Sequence, residues 1–140
     1  MLFHANKSAL GKKYADGEVI IKQGDSADCM YVVLDGEVEI ILDDQQDDSL
    51  RLAVLGEDEV FGELALFDNA KRIATAKAIG DVRVLSVDKK NFLKWVGEEP
   101  TFTLKILMKM AERTRTLIEE VVSLRKMVRD LQQKVKDTKQ

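Results

Sequence analysis

The sequence contains little cysteine and histidine, the residues that form disulfides and commonly bind metal ions. Its 140 residues include one cysteine, one histidine, one proline and one tryptophan. A single thiol can neither form a disulfide within the chain nor hold an iron–sulfur cluster. No apolar run approaches the ~20 residues that a membrane-spanning helix needs, and residues 1–3 are followed at once by polar residues, unlike a signal peptide. The composition predicts a cytoplasmic protein without a resident cofactor.

The scarcity of reactive side chains also argues against an enzyme. His4 is the only histidine, and it lies in a terminal segment that we expect to fray. No nucleophile–base pair or metal-binding spacing is visible. Cys29 falls in an apolar strand pattern, so we predict a buried, unreactive thiol. Haem ligation by His4 and Cys29 is the weaker alternative.

The net charge of −3 conceals an uneven distribution. Residues 100–140 carry ten basic and five acidic side chains, whereas residues 1–99 carry twelve and twenty. An acidic body binds nucleic acid poorly, because the phosphate backbone supplies most of that affinity. An anionic ligand would therefore have to be held by local geometry and not by the net field.

Short apolar runs separated by turn signals predict antiparallel β structure up to about residue 87. Asp35-Gly36 predicts a hairpin, and the acidic residues 43–48 predict a solvated hairpin tip. Eight short strands in two Greek keys would form a jelly roll, a mainly β fold followed by helices. The clearest strand candidates are residues 19–21, 29–34, 38–42, 50–55, 73–79 and 82–87.

The remaining residues predict two helices. Asp88 suits the N-cap of a helix over residues 89–96, which Gly97 would end. Pro100 stands where a second helix can begin, and no glycine or proline follows it. One helix of ~40 residues and ~60 Å is expected. The predicted domains are a β body, residues 1–99, and this helix, residues 100–140.

The long helix carries a heptad repeat. Valine at position a with leucine at position d favours two parallel strands, so we expect a homodimer through this helix. Packing on its own β body is the alternative for the first part of the helix, whereas little of the chain is left to cover the part beyond residue 121. The repeat comprises Met110, Leu117, Leu124 and Leu131 at d, and Thr114, Val121, Val128 and Val135 at a.

Residues 61–76 combine the groups that bind a small nucleotide. Gly62 lets the backbone approach a ligand, and a one-turn helix after Glu63 would present free N–H groups. Arg72, nine residues after Glu63, can bind two oxygens of one phosphate. Glu63 cannot favour a phosphate, but it can accept a hydrogen bond from a sugar hydroxyl. The segment predicts a ligand with a singly charged phosphate and a free ribose hydroxyl.

This segment resembles the phosphate-binding cassette of the cyclic nucleotide-binding domain family, which includes catabolite activator proteins and the regulatory subunits of cAMP-dependent kinase. The resemblance extends from about Tyr14 through the C-terminal helix, and it includes residues 16–20, 24–25 and 30–38. It implies a jelly roll with a C-terminal lid helix. It also implies a regulatory domain that binds a cyclic nucleotide and changes conformation on binding.

The resemblance implies a role for each matching residue. Glu63 would accept the ribose 2′-hydroxyl, and Arg72 would bind the equatorial oxygens of the cyclic phosphate. Alignment with the family would bring Leu117 and Ile118 against the purine and pair Arg113 with Glu63. Main-chain N–H groups would support the phosphate at Leu64, Ala65, Ile73 and Ala74.

The residues that flank Arg72 bear on ligand choice. Family members that favour cGMP often have threonine after this arginine, and Ile73 offers no hydroxyl. The expected ligand is therefore cAMP, with cGMP second. Lys71 departs from the proline or small residue usual at its position, and we expect its charge to be solvated.

Two other functional classes stay open. Family members that act as transcription factors carry a helix-turn-helix domain after the long helix. Because the sequence ends at Gln140, we expect a stand-alone domain without direct DNA binding, unless it is a fragment of a longer regulator. The other class is a ligand-blind dimerisation adaptor, against which Glu63 and Arg72 argue, since a decaying site would be expected to lose them.

Overall fold

The computed structural model describes residues 11–43, 49–68 and 71–139, with the main chain alone for residues 67 and 68. His4 and most of the acidic hairpin tip lie outside these residues. The chain divides into two compact units, Met1–Ile106 and Leu107–Gln140, while the predicted functional domains stay a prediction. The elements are β1 Lys12–Tyr14, β2 Val19–Ile21, β3 Cys29–Asp43, β4 Ser49–Leu55, β5 Val60–Phe61, α1 Ala65–Asp68, β6 Thr75–Asp88, α2 Lys89–Glu98 and α3 Pro100–Thr138.

Six antiparallel strands form one sheet in the first unit. Its main path runs β1-β6-β3-β4, with β2 paired to β6 and β5 paired to β3. The long strands β3 and β6 pair from Cys29 opposite Asp88 to Ile41 opposite Thr75. This sheet followed by helices confirms the predicted fold class.

The predicted hairpin at Asp35-Gly36 is wrong, because β3 continues through it. Residues 73–79 and 82–87 likewise belong mostly to one strand, β6, so the described residues form six strands where eight were expected. The register of β3 on β6 shifts twice between Val33 and Glu37. There Gly36 has φ of 89°, and a Cβ on it would lie 2.5 Å from the carbonyl oxygen of Asp81. The Asp-Gly pair therefore marks an irregularity that bends the ladder, and not a reversal of the chain.

The core of this unit lies on the inward faces of the two long strands. Alternate side chains of a strand point to opposite faces, and in β6 the buried residues alternate accordingly for most of its length. The core cluster comprises Ile21, Val33, Val38, Leu55, Phe61, Ala76, Ala78, Val82 and Val84.

The helices follow their predicted signals closely. Asp88 caps α2, and its Oδ1 accepts a 2.8 Å hydrogen bond from the N–H of Asn91. α2 extends to Glu98, so Gly97 lies inside the last turn and does not end the helix as predicted. α3 spans 39 residues, as expected. No helix in the described part of the chain combines the length and apolarity that crossing a bilayer requires.

Asp58, in the turn between β4 and β5, carries a buried charge. Its φ of 67° lies in the left-handed region, and the residue is 5% exposed. Its Oδ2 lies 3.0 Å from Nζ of Lys105 in the second turn of α3. Oδ1 is buried without a hydrogen-bond partner among the described residues. The ion pair with Lys105 therefore ties this turn to the first part of α3, within the same compact unit.

Lys105→Met should lower the free energy of unfolding by about 1–3 kcal/mol, because it leaves a buried carboxylate without its partner. In the double variant Asp58→Gly/Lys105→Met much of this loss should be recovered, since glycine suits the positive φ and no buried charge remains. Urea denaturation of the wild type, both single variants and the double variant measures the effect. Equal stability of Lys105→Met and wild type would show that the ion pair does not stabilise the fold.

Candidate functional site

The main chain of Arg72 is fixed by the turn that follows β2. Its N–H donates to the carbonyl of Asp25 and its carbonyl accepts from the N–H of Gly24, both at 2.8 Å. The turn is itself held at Gln23, whose side-chain amide makes hydrogen bonds of 2.9 and 3.1 Å with the main chain of Asp43. These main-chain hydrogen bonds therefore fix the position from which the Arg72 side chain extends.

The guanidinium of Arg72 joins two distant parts of the sequence. Nη1 donates to the carbonyl of Gly62 at 2.9 Å, and Nη2 donates to the carbonyl of Cys29 at 2.8 Å. The guanidinium carbon lies 5.7 Å from the centroid of the Tyr31 ring. A guanidinium has five N–H donors, so these two hydrogen bonds leave further donor capacity on the group.

The bend in the sheet makes this contact reachable. Cys29 and Ile41 lie at opposite ends of the β3–β6 ladder, and Arg72 precedes the strand that begins opposite Ile41. Twelve residues of straight strand would separate those ends by ~40 Å. An arginine side chain cannot span that distance, so the paired strands must bend between these ends, and the ladder is irregular near Gly36.

Gly62 is required for two physical reasons. Its φ is 73°, in the region that side chains with a Cβ rarely adopt. A Cβ on it would lie 2.5 Å from Nη1 of Arg72. We predicted that Gly62 would let the backbone approach a ligand closely. In the structure, the group close to this backbone is the guanidinium of Arg72.

Arg72 is hydrogen-bonded to the peptide unit that joins Gly62 to Glu63, whose carbonyl accepts from Nη1. Glu63 is half-buried, and its carbonyl accepts from the N–H of Leu66 at 3.1 Å. The predicted one-turn helix is present as α1. Four residues make only a small dipole, so individual N–H groups have to supply the attraction for an anion.

The other predicted phosphate donors flank this pair. Ala65 is buried, and its N–H donates to the Gly62 carbonyl at 3.4 Å, so this N–H already has an acceptor. Leu64 is 50% exposed and Ile73 is 65% exposed, while Ala74 is half-buried. β6 begins at Thr75, two residues later than predicted, so Ile73 and Ala74 precede the strand.

Two further predictions concern α3 and Lys71. Arg113 and Leu117 lie on α3 in the second compact unit, so their predicted contacts with the ligand and with Glu63 stay predictions. Lys71 is exposed, as expected of a solvated charge. No group of three metal-binding side chains that could hold an ion occurs in residues 11–43, 49–68 and 71–139.

Sequence reasoning missed Cys29 and Tyr31 as neighbours of Arg72. Cys29 is half-buried, so the prediction of a fully buried thiol is wrong, and its Sγ lies 3.7 Å from Nη2 of Arg72. Burial, then the proximity of Cys29, raises the pKa of Tyr31 to about 12, although the charge of Arg72 lowers it. The available signal was their spacing, because residues two apart in a strand share a face.

Residues 11–99 match the family model of the cyclic nucleotide-binding domain. The chain belongs to this family. The match covers all six strands, the cassette and α2.

Individual relatives are regulators. The chain is 42% identical over 89 residues to the cAMP-dependent protein kinase type II regulatory subunit of Drosophila melanogaster, covering 63% of this chain and 23% of that protein. It is 28% identical over 99 residues to the CRP-like cAMP-activated global transcriptional regulator of Mycobacterium tuberculosis H37Rv, covering 71% and 44%. The crystal structure of the Thermus thermophilus catabolite activator protein superposes with a TM-score of 0.67 at 28% identity, covering 86% and 57%. The chain thus spans less than half the length of these two curated relatives.

Gly62→Ala should cost more stability than Gly17→Ala. Gly17 has a similar φ of 82° but no atom within 4 Å of an added Cβ. Both variants incur ~1–2 kcal/mol of backbone strain. Gly62→Ala also displaces the guanidinium from the Gly62 carbonyl, which should add about 1–3 kcal/mol. Urea denaturation compares the two, and equal losses would show that the guanidinium contact does not stabilise the fold.

Proposed function

We propose that this domain binds cAMP in residues 62–74 and acts as a ligand-controlled regulatory module without enzymatic activity, dimerised through α3. The observation that carries the proposal is the guanidinium of Arg72 at the Gly62 carbonyl. This contact joins Arg72, which matches the arginine of the family's motif, to the segment that contains Glu63, which matches its glutamate. The names of the two curated relatives support cAMP as the ligand and regulation as the role. A cytoplasmic location stays a prediction.

The phosphate is the first part of the ligand to consider. An oxygen of a cyclic phosphate carries negative charge, and charge-assisted hydrogen bonds are roughly twice as strong as those to a neutral carbonyl. Binding would therefore replace at least one of the carbonyls of Cys29 and Gly62 by a phosphate oxygen as acceptor, with the guanidinium close to its orientation over Tyr31. The main chain of Arg72 would stay anchored to Gly24 and Asp25. Ligand binding thus has a local conformational change built into it, whose reach is limited by the ligand's differential affinity for the two states.

Ribose and base would be held by the neighbouring residues. Glu63 supplies an acceptor for the 2′-hydroxyl, and the small side chain of Ala74 leaves room for the phosphate near the main chain. Ile73 presents no hydroxyl to a guanine amino group, which supports cAMP over cGMP. Arg113 and Leu117 are proposed to complete the site from α3, as the family resemblance implies.

A longer transcriptional regulator is the second candidate. The Mycobacterium tuberculosis relative is a transcriptional regulator, and this chain matches only 44% of it. Residues 1–99 carry a net charge of −8, so DNA binding would need residues beyond those of the β body. The third candidate is a dimerisation adaptor that binds no ligand. Isothermal titration with cyclic nucleotides distinguishes it from a ligand-binding module.

Arg72→Met should weaken cAMP binding by roughly 30- to several-thousand-fold, because a charge contact excluded from water is lost, at ~2–5 kcal/mol. Lys71→Met is the matched control, since it removes a neighbouring but exposed cation and should change affinity little. Isothermal titration of nucleotide-stripped protein with cAMP, cGMP and cyclic di-GMP measures both variants. Absence of heat from all three ligands with the wild type would contradict the proposed function, and thermal melts would verify folding.

The proposed dimer rests on one face of α3. Seam residues from Leu117 to Val135 are exposed in the single chain, by 44% at Leu117 and 52% at Val135. Parallel pairing of two such seams would bury valines and leucines in alternate layers. Glu120 and Arg125 stand at g and the following e, where they can pair across the two helices. These features support a second copy of the chain as the partner of this face.

Val121→Glu should weaken dimerisation by at least about tenfold, since two carboxylates would meet in an apolar layer. Val122→Glu is the matched control, because Val122 is similarly exposed, 55% against 52%, but lies at position b outside the seam. Glutamate favours helix more than valine does, so neither change should unfold α3. Sedimentation equilibrium measures the dissociation constants. Equal effects of the two variants, or a monomeric wild type, would contradict the proposed interface.

A further inference from the structure

We propose that Tyr31 is a positioning residue for the nucleotide phosphate: its ring holds the guanidinium of Arg72 in the orientation that faces Gly62. The inference rests on the proposed binding of a cyclic nucleotide. The guanidinium carbon lies 5.7 Å from the ring centroid, within the ~6 Å at which a cation is attracted to an aromatic face. The carbonyls of Gly62 and Cys29 and Sγ of Cys29 also accept hydrogen bonds from the guanidinium. Tyr31 would act on the ligand through Arg72 and would not touch it.

The ring of Tyr31 is itself packed against a second aromatic ring. It stacks on Phe61 with centroids 5.3 Å apart and planes at 14°. The two residues are register partners between β3 and β5, and Tyr31 is paired with Ser86 of β6 on the other side. Phe61 is buried and directly precedes Gly62. One cross-strand aromatic pair thus supports both the ring under the guanidinium and the glycine that the guanidinium contacts.

The ring face, and not the hydroxyl, would carry the effect. The pKa of Tyr31 is raised to about 12 by burial and by Cys29, so the ring is neutral at physiological pH. Phenylalanine presents a similar face without the hydroxyl, whereas leucine presents none. Tyr31→Phe should therefore preserve the function of the residue, and Tyr31→Leu should remove it.

Positioning matters here because an arginine side chain has many rotamers. The main chain of Arg72 is already fixed by Gly24 and Asp25, so the remaining freedom lies in the side chain. Binding two oxygens of one phosphate requires a defined plane for the guanidinium. A side chain that is ordered before binding loses less entropy when the ligand arrives, which raises affinity. The ring of Tyr31 provides that order.

The test compares Tyr31→Phe and Tyr31→Leu in the full chain by titration with cAMP. We expect Tyr31→Phe to bind within about twofold of wild type and Tyr31→Leu to bind about 5- to 10-fold more weakly, as loss of a desolvated cation–aromatic contact predicts. Tyr14→Leu is the matched control: Tyr14 packs against the same core and has a lysine, Lys12, 5.1 Å from its ring centroid. Its replacement should leave cAMP affinity unchanged.

A second readout needs no ligand. The Nε–H resonance of Arg72, assigned by its loss in Arg72→Lys, should shift in Tyr31→Leu and stay in place in Tyr31→Phe, because only an aromatic ring exerts a ring current. A general loss of stability would not produce this pattern. If Tyr31→Leu does not fold, Tyr31→Met, with its unbranched and adaptable side chain, takes its place in both measurements.

The outcomes separate the two hypotheses. If the wild type binds cAMP and Tyr31→Leu binds equally well, the positioning role is wrong while the proposed function stands. An unchanged Arg72 resonance in Tyr31→Leu would also overturn it. If the wild type binds no cyclic nucleotide, the proposed function fails and the role of Tyr31 in binding fails with it.

Discussion

The hydrogen bonds from Arg72 to the carbonyls of Gly62 and Cys29 connect the candidate site to the fold. They join the segment before α1 to the first residue of β3. The turn after β2 holds the main chain of the arginine by two further hydrogen bonds. Arg72 precedes β6 at one end of the β3–β6 ladder and Cys29 lies at the other end, so the contact requires the two long strands to bend between these ends. The site therefore depends on the whole sheet, and a change in the bend would be felt at the guanidinium.

Under the proposed function, the same guanidinium would explain how an acidic body can bind an anion. Residues 1–99 have an excess of eight negative charges, which repels phosphate at long range. At short range, one oriented guanidinium and a few main-chain N–H groups would determine the outcome under the proposed function, because the interaction of close charges outweighs a screened, distant field. In the structure the guanidinium donates to two neutral carbonyls. A phosphate offers better acceptors at the same place, and this difference would drive the exchange.

Local signals predicted most of the elements and part of the site. The cap at Asp88 and the absence of glycine and proline after Pro100 act within one helix, so neighbouring sequence sufficed to predict them. The hairpin at Asp35-Gly36 failed because a turn and a bulge use the same residues, and only the packing of Gly36 on Asp81 decides between them. The spacing of Glu63 and Arg72 pointed to the family, which the family model confirms, while the roles of these two residues in binding stay predictions. The partners of Arg72 were not predicted. Two of them are main-chain carbonyls, which every residue has, and an aromatic residue in a strand, such as Tyr31, is first interpreted as part of the core.

A crystal structure of the domain grown with cAMP tests the central claim most directly. The account predicts that the guanidinium of Arg72 leaves at least one of its two carbonyl partners and lies within hydrogen-bond distance of two phosphate oxygens, with Glu63 on the ribose hydroxyl. The main-chain hydrogen bonds of Arg72 to Gly24 and Asp25 should persist. A nucleotide bound elsewhere, or a phosphate held by other groups while Arg72 keeps both carbonyl contacts, would contradict it.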